Sequence, residues 1–185
     1  MRHLRLTTVF LGLAFAAFTL LCSNPAHAAS AAEINRDANR VLQKLYKISG
    51  SAKALGEKAK AILVFPAITK GGFMVGGQYG EGALMKAGKT IAYYNTVSVS
   101  YGLQAGVQTY GYALFFMTDS ARAYLDRSDG WEVGTGPSIV IVDEGAARSL
   151  STTTAKSDVY AFTFNQKGLM GGLGLQGTKI TKIEK

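Results

Sequence analysis

The chain has 185 residues, 20 Lys and Arg against 12 Asp and Glu for a formal net charge of +8, and 48% apolar residues. That length and apolar share suit one domain with a sizeable core and exclude a largely disordered chain. The 22 glycines follow no three-residue period, which excludes collagen, and the only His and Cys are His3, Cys22 and His27.

Those three residues lie in what reads as a leader. A short basic start with Arg2 and Arg5 precedes an uncharged apolar run over residues 6–21, and Ala26-His27-Ala28 supplies a small-x-small end. This is the layout of a secretory signal peptide spanning residues 1–28, followed by a single domain over residues 29–185. The apolar run is shorter than the roughly 20 residues that span a bilayer, so a membrane anchor is the weaker reading. Lipidation of Cys22 is weaker too, because Leu21 stands where a lipoprotein signal wants a small residue. Cleaved after Ala28, the chain would keep no His and no Cys. That removes disulfides, thiol nucleophiles, Cys/His zinc sites and Ser-His-Asp triads. An enzyme is therefore disfavoured, and the sequence points to no catalytic residue, cofactor or metal.

The charge left after cleavage is uneven. Residues 33–89 hold ten basic and four acidic side chains, whereas residues 90–185 hold eight of each. Such asymmetry suits an anionic partner, membrane or nucleic acid, or else a solvated helix face.

Ser30-Ala31-Ala32-Glu33 has capping-box spacing and opens a helix. Ile34, Ala38, Val41, Leu42, Leu45 and Ile48 recur at helical spacing, while Arg36, Arg40, Lys44 and Lys47 gather on another face. A basic amphipathic helix of this kind can lie on an anionic bilayer; docking on a sheet with the basic face outward is the favoured reading. Gly50 interrupts, and residues 51–60 read as a second short helix. Residues 61–65 form an apolar run stopped by Pro66, hence a buried strand or a helix end. Residues 73–85, 90–99, 103–117, 138–142, 159–164 and 169–183 read as strands or strand pairs. Turns are expected at Gly88-Lys89 and Asn165–Gly168, and Thr118-Asp119-Ser120 caps a short helix over residues 121–126. Sequential strands on short links, with glycines inside them, predict an α+β fold. Its N-terminal helices pack on a strongly curved antiparallel β-sheet or β-barrel.

Three local patterns invite chemical readings that their context rejects. Residues 83–90 fit a relaxed phosphate-binding loop, but Thr90 opens a β-like run rather than a helix, so a hairpin turn is expected. Asp126 with Asp129, and Asp143 with Glu144, lack the periodic oxygen ligands of a calcium loop. Trp131 sits in a loop-like setting, suited either to a membrane interface or to folding back on the core.

Three glycine clusters are more specific. They are Gly71-Gly72-Phe73-x-Val75-Gly76-Gly77-x-Tyr79-Gly80-Glu81-Gly82, then Gly102-Leu103-Gln104-Ala105-Gly106-Val107-Gln108, and last Gly168-Leu169-x-Gly171-Gly172-x-Gly174-Leu175-x-Gly177. With Ala59-Lys60-Ala61-Ile62-Leu63-Val64-Phe65-Pro66 before them, they make the chain closely resemble the SYLF domain family from near Glu33 to the C-terminus. The resemblance implies a non-enzymatic lipid-binding domain whose bacterial members are small exported proteins. Eukaryotic members of the family bind phosphoinositides and related anionic lipids, and some act with actin; the resemblance implies that basic and amphipathic N-terminal residues carry the lipid binding. Carried over, these are Arg36, Arg40, Lys44 and Lys47, with Lys53, Lys58, Lys60 and Lys70 as neighbours. A leader argues against actin and phosphoinositides as partners. The expected partner is therefore an anionic phospholipid surface of the cell envelope, in the periplasm or peripheral to the membrane, with no nucleic acid. The alternative expectation is a small outer-membrane or envelope β-barrel protein.

Overall fold

A computed structural model describes residues 28–185 apart from 74, 102–105, 128, 143–156, 169–174 and 176. The leader reading, the Asp143–Glu144 pair and parts of the second and third glycine clusters lie outside the described residues.

Helix α1, Ala31–Ile48, starts on the expected capping box: the Glu33 backbone N–H donates to Ser30 Oγ, and the Ser30 N–H donates to the Glu33 carboxylate. Ser49 caps α2, Gly50–Lys58, through a bond accepted from the Ala52 N–H at 3.1 Å. Among the described residues eight strands follow: β1 Ala61–Phe73, β2 Val75–Lys86, β3 Lys89–Tyr101, β4 Gly106–Phe116, β5 Trp131–Glu132, β6 Ile139–Val142, β7 Val159–Gly168 and β8 Lys179–Ile183. Between β4 and β5, Thr118 caps α3, Asp119–Arg122, which runs into a 3-10 turn over Ala123–Asp126. The expected hairpin joins β2 to β3, with Ala87 and Gly88 at φ 48° and 76°.

The strands form one sheet in the order β5-β8-β3-β2-β1-β4-β7-β6. Laid flat at about 4.8 Å per strand, its edges would stand about 34 Å apart. Edge strands β5 and β6 are joined by residues 133–138 alone, a link that reaches at most about 25 Å. The sheet must curl, and it does so into a half-barrel. All pairings are antiparallel except β6 with β7, which run parallel, so the fully antiparallel expectation is corrected to a mixed sheet. Two distinct edges also leave this order open, which does not favour the membrane-spanning barrel.

Alternating side chains feed two cores. On the convex face, Ile62, Val64, Ala83, Met85, Ala113, Phe115 and Phe162 pack under Ile34, Ala38, Val41, Leu42 and Leu45 of α1. On the concave face, Leu63, Phe65, Leu84, Tyr112, Leu114 and Phe116 enclose Trp131, Leu125 and Ile180. Trp131 is 0% exposed, and its Nε1–H donates to the Thr135 carbonyl at 3.0 Å, so the core rather than a membrane interface holds it.

Two local expectations are also corrected. Pro66 does not end its strand: β1 continues through a bulge in which Phe65, Pro66 and Ala67 slip relative to both neighbours. A bulge needs no ladder donor at that position, so proline is tolerated there. Asn165 to Gly168 extend β7 rather than turn, with Asn165 at φ 54° at the register shift opposite β4.

Candidate lipid-contact surface

At 3.6 residues per turn, Arg36, Arg40, Lys44 and Lys47 fall roughly opposite the buried stripe of α1, and all four are exposed. The helix is fixed at both ends. Asn35 Nδ2 donates to Tyr93 Oη at 2.9 Å, and Thr90 Oγ1 donates to Asn35 Oδ1 at 2.8 Å. Near its other end, Lys44 Nζ donates to Asn165 Oδ1 at 2.9 Å. Helix α1 therefore crosses the convex face from β3 to β7, its apolar stripe spent on the core and its basic face turned to solvent. The same stripe is not free to enter a headgroup layer.

Asp37 tempers this charge by pairing with Arg36 at 3.2 Å and Arg40 at 3.0 Å, both arginines remaining highly exposed. Surface pairs of this kind contribute little and leave the guanidinium groups available. Lys53 and Lys58 are exposed on α2, and among the described residues neither has an ion-pair partner. Lys60 is exposed before β1, 4.0 Å from Asp119. Lys70 stands apart from the rest. Its register partners on β2 and β4 are Gln78 and Gln108, both buried, so Lys70 faces the concave interior. The four α1 residues thus share one helix face, Lys53 and Lys58 are exposed on the neighbouring helix, and Lys70 belongs to the other side of the sheet.

That interior is unusually polar near Lys70. Tyr110 Oη donates to Gln78 Oε1 at 2.6 Å, and Gln78 Nε2 donates to Thr178 Oγ1 at 3.1 Å. Burial pushes the Tyr110 phenol up to about 12, partly offset by its bond to Gln78. Burial also raises Tyr112, against a bond with Thr96. Gln108 is 0% exposed, and among the described residues neither of its amide atoms has a hydrogen-bond partner. Sequence reading missed this polar lining; the Gln and Thr positions were visible, but not the face they share.

Among the described residues, three carboxylates are engaged locally. Asp126 pairs with Arg122 at 3.2 Å, and Asp129 lies 3.9 Å from Arg127. Asp158 is held below the usual carboxylate range by the backbone N–H and hydroxyl of Ser138, both donating to it. Among the described residues no cluster of His, Cys, Asp and Glu could hold a metal ion, and no helix is long and apolar enough to cross a membrane.

Residues 97–185 match the family model Ysc84, described as Las17-binding protein actin regulator. No curated protein matches the chain.

Proposed function

Since the chain belongs, over residues 97–185, to the SYLF (Ysc84) family, we propose that it is a non-enzymatic phospholipid-binding protein of the cell envelope. It contacts anionic headgroups through Arg36, Arg40, Lys44 and Lys47, with Lys53 and Lys58 extending the surface. The observation that carries this reading is the exposed basic face of a helix locked onto the sheet through its apolar stripe. A rigid mount holds four cations on one side, so binding needs no refolding. Each Lys or Arg close to an anionic surface contributes about 1 kcal/mol, and a cluster of this size sustains weak, salt-sensitive adsorption. The charge-poor, His-free and Cys-free domain supports binding rather than catalysis, and the leader supports export. Anionic envelope phospholipids suit such a location better than the actin regulation named in the family description.

Co-sedimentation tests the proposal. The protein should pellet with vesicles containing phosphatidylglycerol and stay in solution with pure phosphatidylcholine, and binding should decline steeply as salt rises. Equal binding to both vesicle types, or binding indifferent to salt, would refute the headgroup reading. Native mass spectrometry of the purified protein would identify any lipid it retains.

A further inference from the structure

Beyond the cover of α1, the ends of the central strands reverse the polarity expected of a sheet in water. On β2, Gln78 is 6% exposed while Val75 and Tyr79, on the opposite face, are 55% and 50% exposed. On β4, Gln108 is fully buried beside Val107, which is 66% exposed. Strand β3 buries Thr96 and exposes Val97 and Val99. Register places the apolar residues together: Val99 faces Gly77, Gly77 faces Gly71, Gly71 faces Val107, and Val97 faces Tyr79. Residues 71–80 and 90–118 contain no Asp, Glu, Lys or Arg. Polar inward and apolar outward is the arrangement of strands whose outer face meets hydrocarbon.

We propose that the outer face formed by Val75, Tyr79, Val97, Val99 and Val107 seats against the hydrocarbon boundary of a phospholipid bilayer. This deepens the lipid-binding reading above and rests on it. Both surfaces lie on the convex side of the sheet, because the solvent face of α1 points away from that same side. A bilayer offers the matching pair, anionic headgroups beside hydrocarbon. The patch measures roughly 450 Å², within the ~300–600 Å² of the largest, often functional, patch on a monomer and well below the ~800 Å² per partner of a stable protein interface. A second copy would therefore gain too little there, whereas a bilayer needs no shaped counterpart.

The backbone suits this contact as well. Strands β1 and β2 are paired on both sides out to their ends, Gly72 with Gly76 and Gly106, Val75 with Phe73 and Tyr101. Pressing them into an apolar layer leaves their ladder groups satisfied. From Val75 to Tyr79 the face rises only about 13 Å, about half of the ~25 Å apolar band of a spanning barrel, so it seats in one leaflet. Tyr79 marks the polar edge of the face: its hydroxyl donates to the Glu81 carboxylate at 2.8 Å, so its ring can meet hydrocarbon while its polar tip stays satisfied.

The test places an environment-sensitive fluorophore at Val99→Cys or Val107→Cys in a Cys22→Ser chain, with Ser120→Cys at the other end of the strands as reference. Vesicles of phosphatidylglycerol and phosphatidylcholine carry spin labels on their acyl chains. Labels at 99 and 107 should shift to the blue and be quenched by the acyl-chain labels, while the label at 120 stays water-like. The Val99→Asp/Val107→Asp variant should partition about tenfold more weakly at an unchanged melting temperature, since both side chains are exposed. Vesicle capture with water-like labels at 99 and 107 would overturn the seating and leave headgroup binding intact. Equal quenching on purely neutral vesicles would support the seating while removing the headgroup reading. No capture by anionic vesicles would overturn both, and a dimer in solution that Val99→Asp disperses would show a second copy on the face instead.

Discussion

Replacing Gly111 by alanine tests how the half-barrel is bent. The bulge at Phe65–Ala67 is flanked by Gly82 on β2 and Gly111 on β4. A Cβ on Gly111 would lie 2.8 Å from the Pro66 carbonyl oxygen and 2.9 Å from that of Phe65, and would run into Cε2 of Phe164. Two of these neighbours are backbone within a paired strand, so relief requires moving the bulge itself. Alanine in place of a strand glycine would ordinarily gain about 0.5–1 kcal/mol from the unfolded state. Overpacking of this kind costs about 1–3 kcal/mol, and here it should win, for a net loss of about 1–2 kcal/mol. In a domain of this size that lowers the melting temperature by about 2–8 °C. Gly50, with no atom within 4 Å of a built Cβ, supplies the control, and Gly50→Ala should be neutral or stabilising. Urea unfolding followed by circular dichroism measures both. If Gly111→Ala is as stable as Gly50→Ala, the bulge is not held by close backbone approach and the reasoning fails.

Three further outcomes follow from buried groups. The sole tryptophan should emit at short wavelength and resist acrylamide; anionic vesicles should leave its spectrum unchanged, and Trp131→Ala should cost about 3–5 kcal/mol in denaturant titration. Tyr110 is raised to about 12 by burial, above its unfolded value near 10. Its contribution to stability is therefore complete below pH 10 and lost as pH rises towards 12, because the unfolded chain releases the proton first. Absorbance at alkaline pH should show the buried phenols ionising later than exposed ones, and urea midpoints should fall across that window. Lys185 Nζ lies 3.0 Å from both Glu81 carboxylate oxygens and 2.9 Å from the Ala29 carbonyl, with both side chains largely buried. Lys185→Ala should cost about 1–3 kcal/mol, and adding Glu81→Gln should recover part of it by removing the stranded carboxylate; denaturant midpoints of the two variants check this.

What the sequence disclosed depended on how local each signal was. Ser30 and Glu33, three residues apart, announce the start of α1, and the stripe from Ile34 to Leu45 announces its buried face, because both depend on helical geometry alone. The β2–β3 turn at Ala87-Gly88 is similarly local. Pro66 misled because a proline reads as a stop, whereas the bulge that accepts it is framed by Gly82 and Gly111 on two other strands. Asn165 to Gly168 have the composition of a turn, yet pairing with Gln108 and Thr109 on β4 holds them extended. Trp131 looked like a loop residue because its burial comes from Phe116 and Tyr124, which nothing in its own segment reveals. The four basic residues of the candidate surface were legible as a helix face. The apolar outer face of the strand ends was not: alternation from Thr96 to Val99 is visible, but which half points inward depends on where α1 docks.

The central claim, headgroup binding by the outer face of α1, is tested most directly by the chain bearing Arg36→Glu, Arg40→Glu, Lys44→Glu and Lys47→Glu. All four side chains are exposed, and the variant loses only surface bonds, from Lys44 to Asn165 and from Arg36 and Arg40 to Asp37. The apolar stripe of α1 is untouched, so the variant should keep its circular dichroism spectrum and cooperative unfolding. Its sedimentation with phosphatidylglycerol vesicles at moderate salt should be abolished. Sedimentation equal to that of the parent chain would contradict the account.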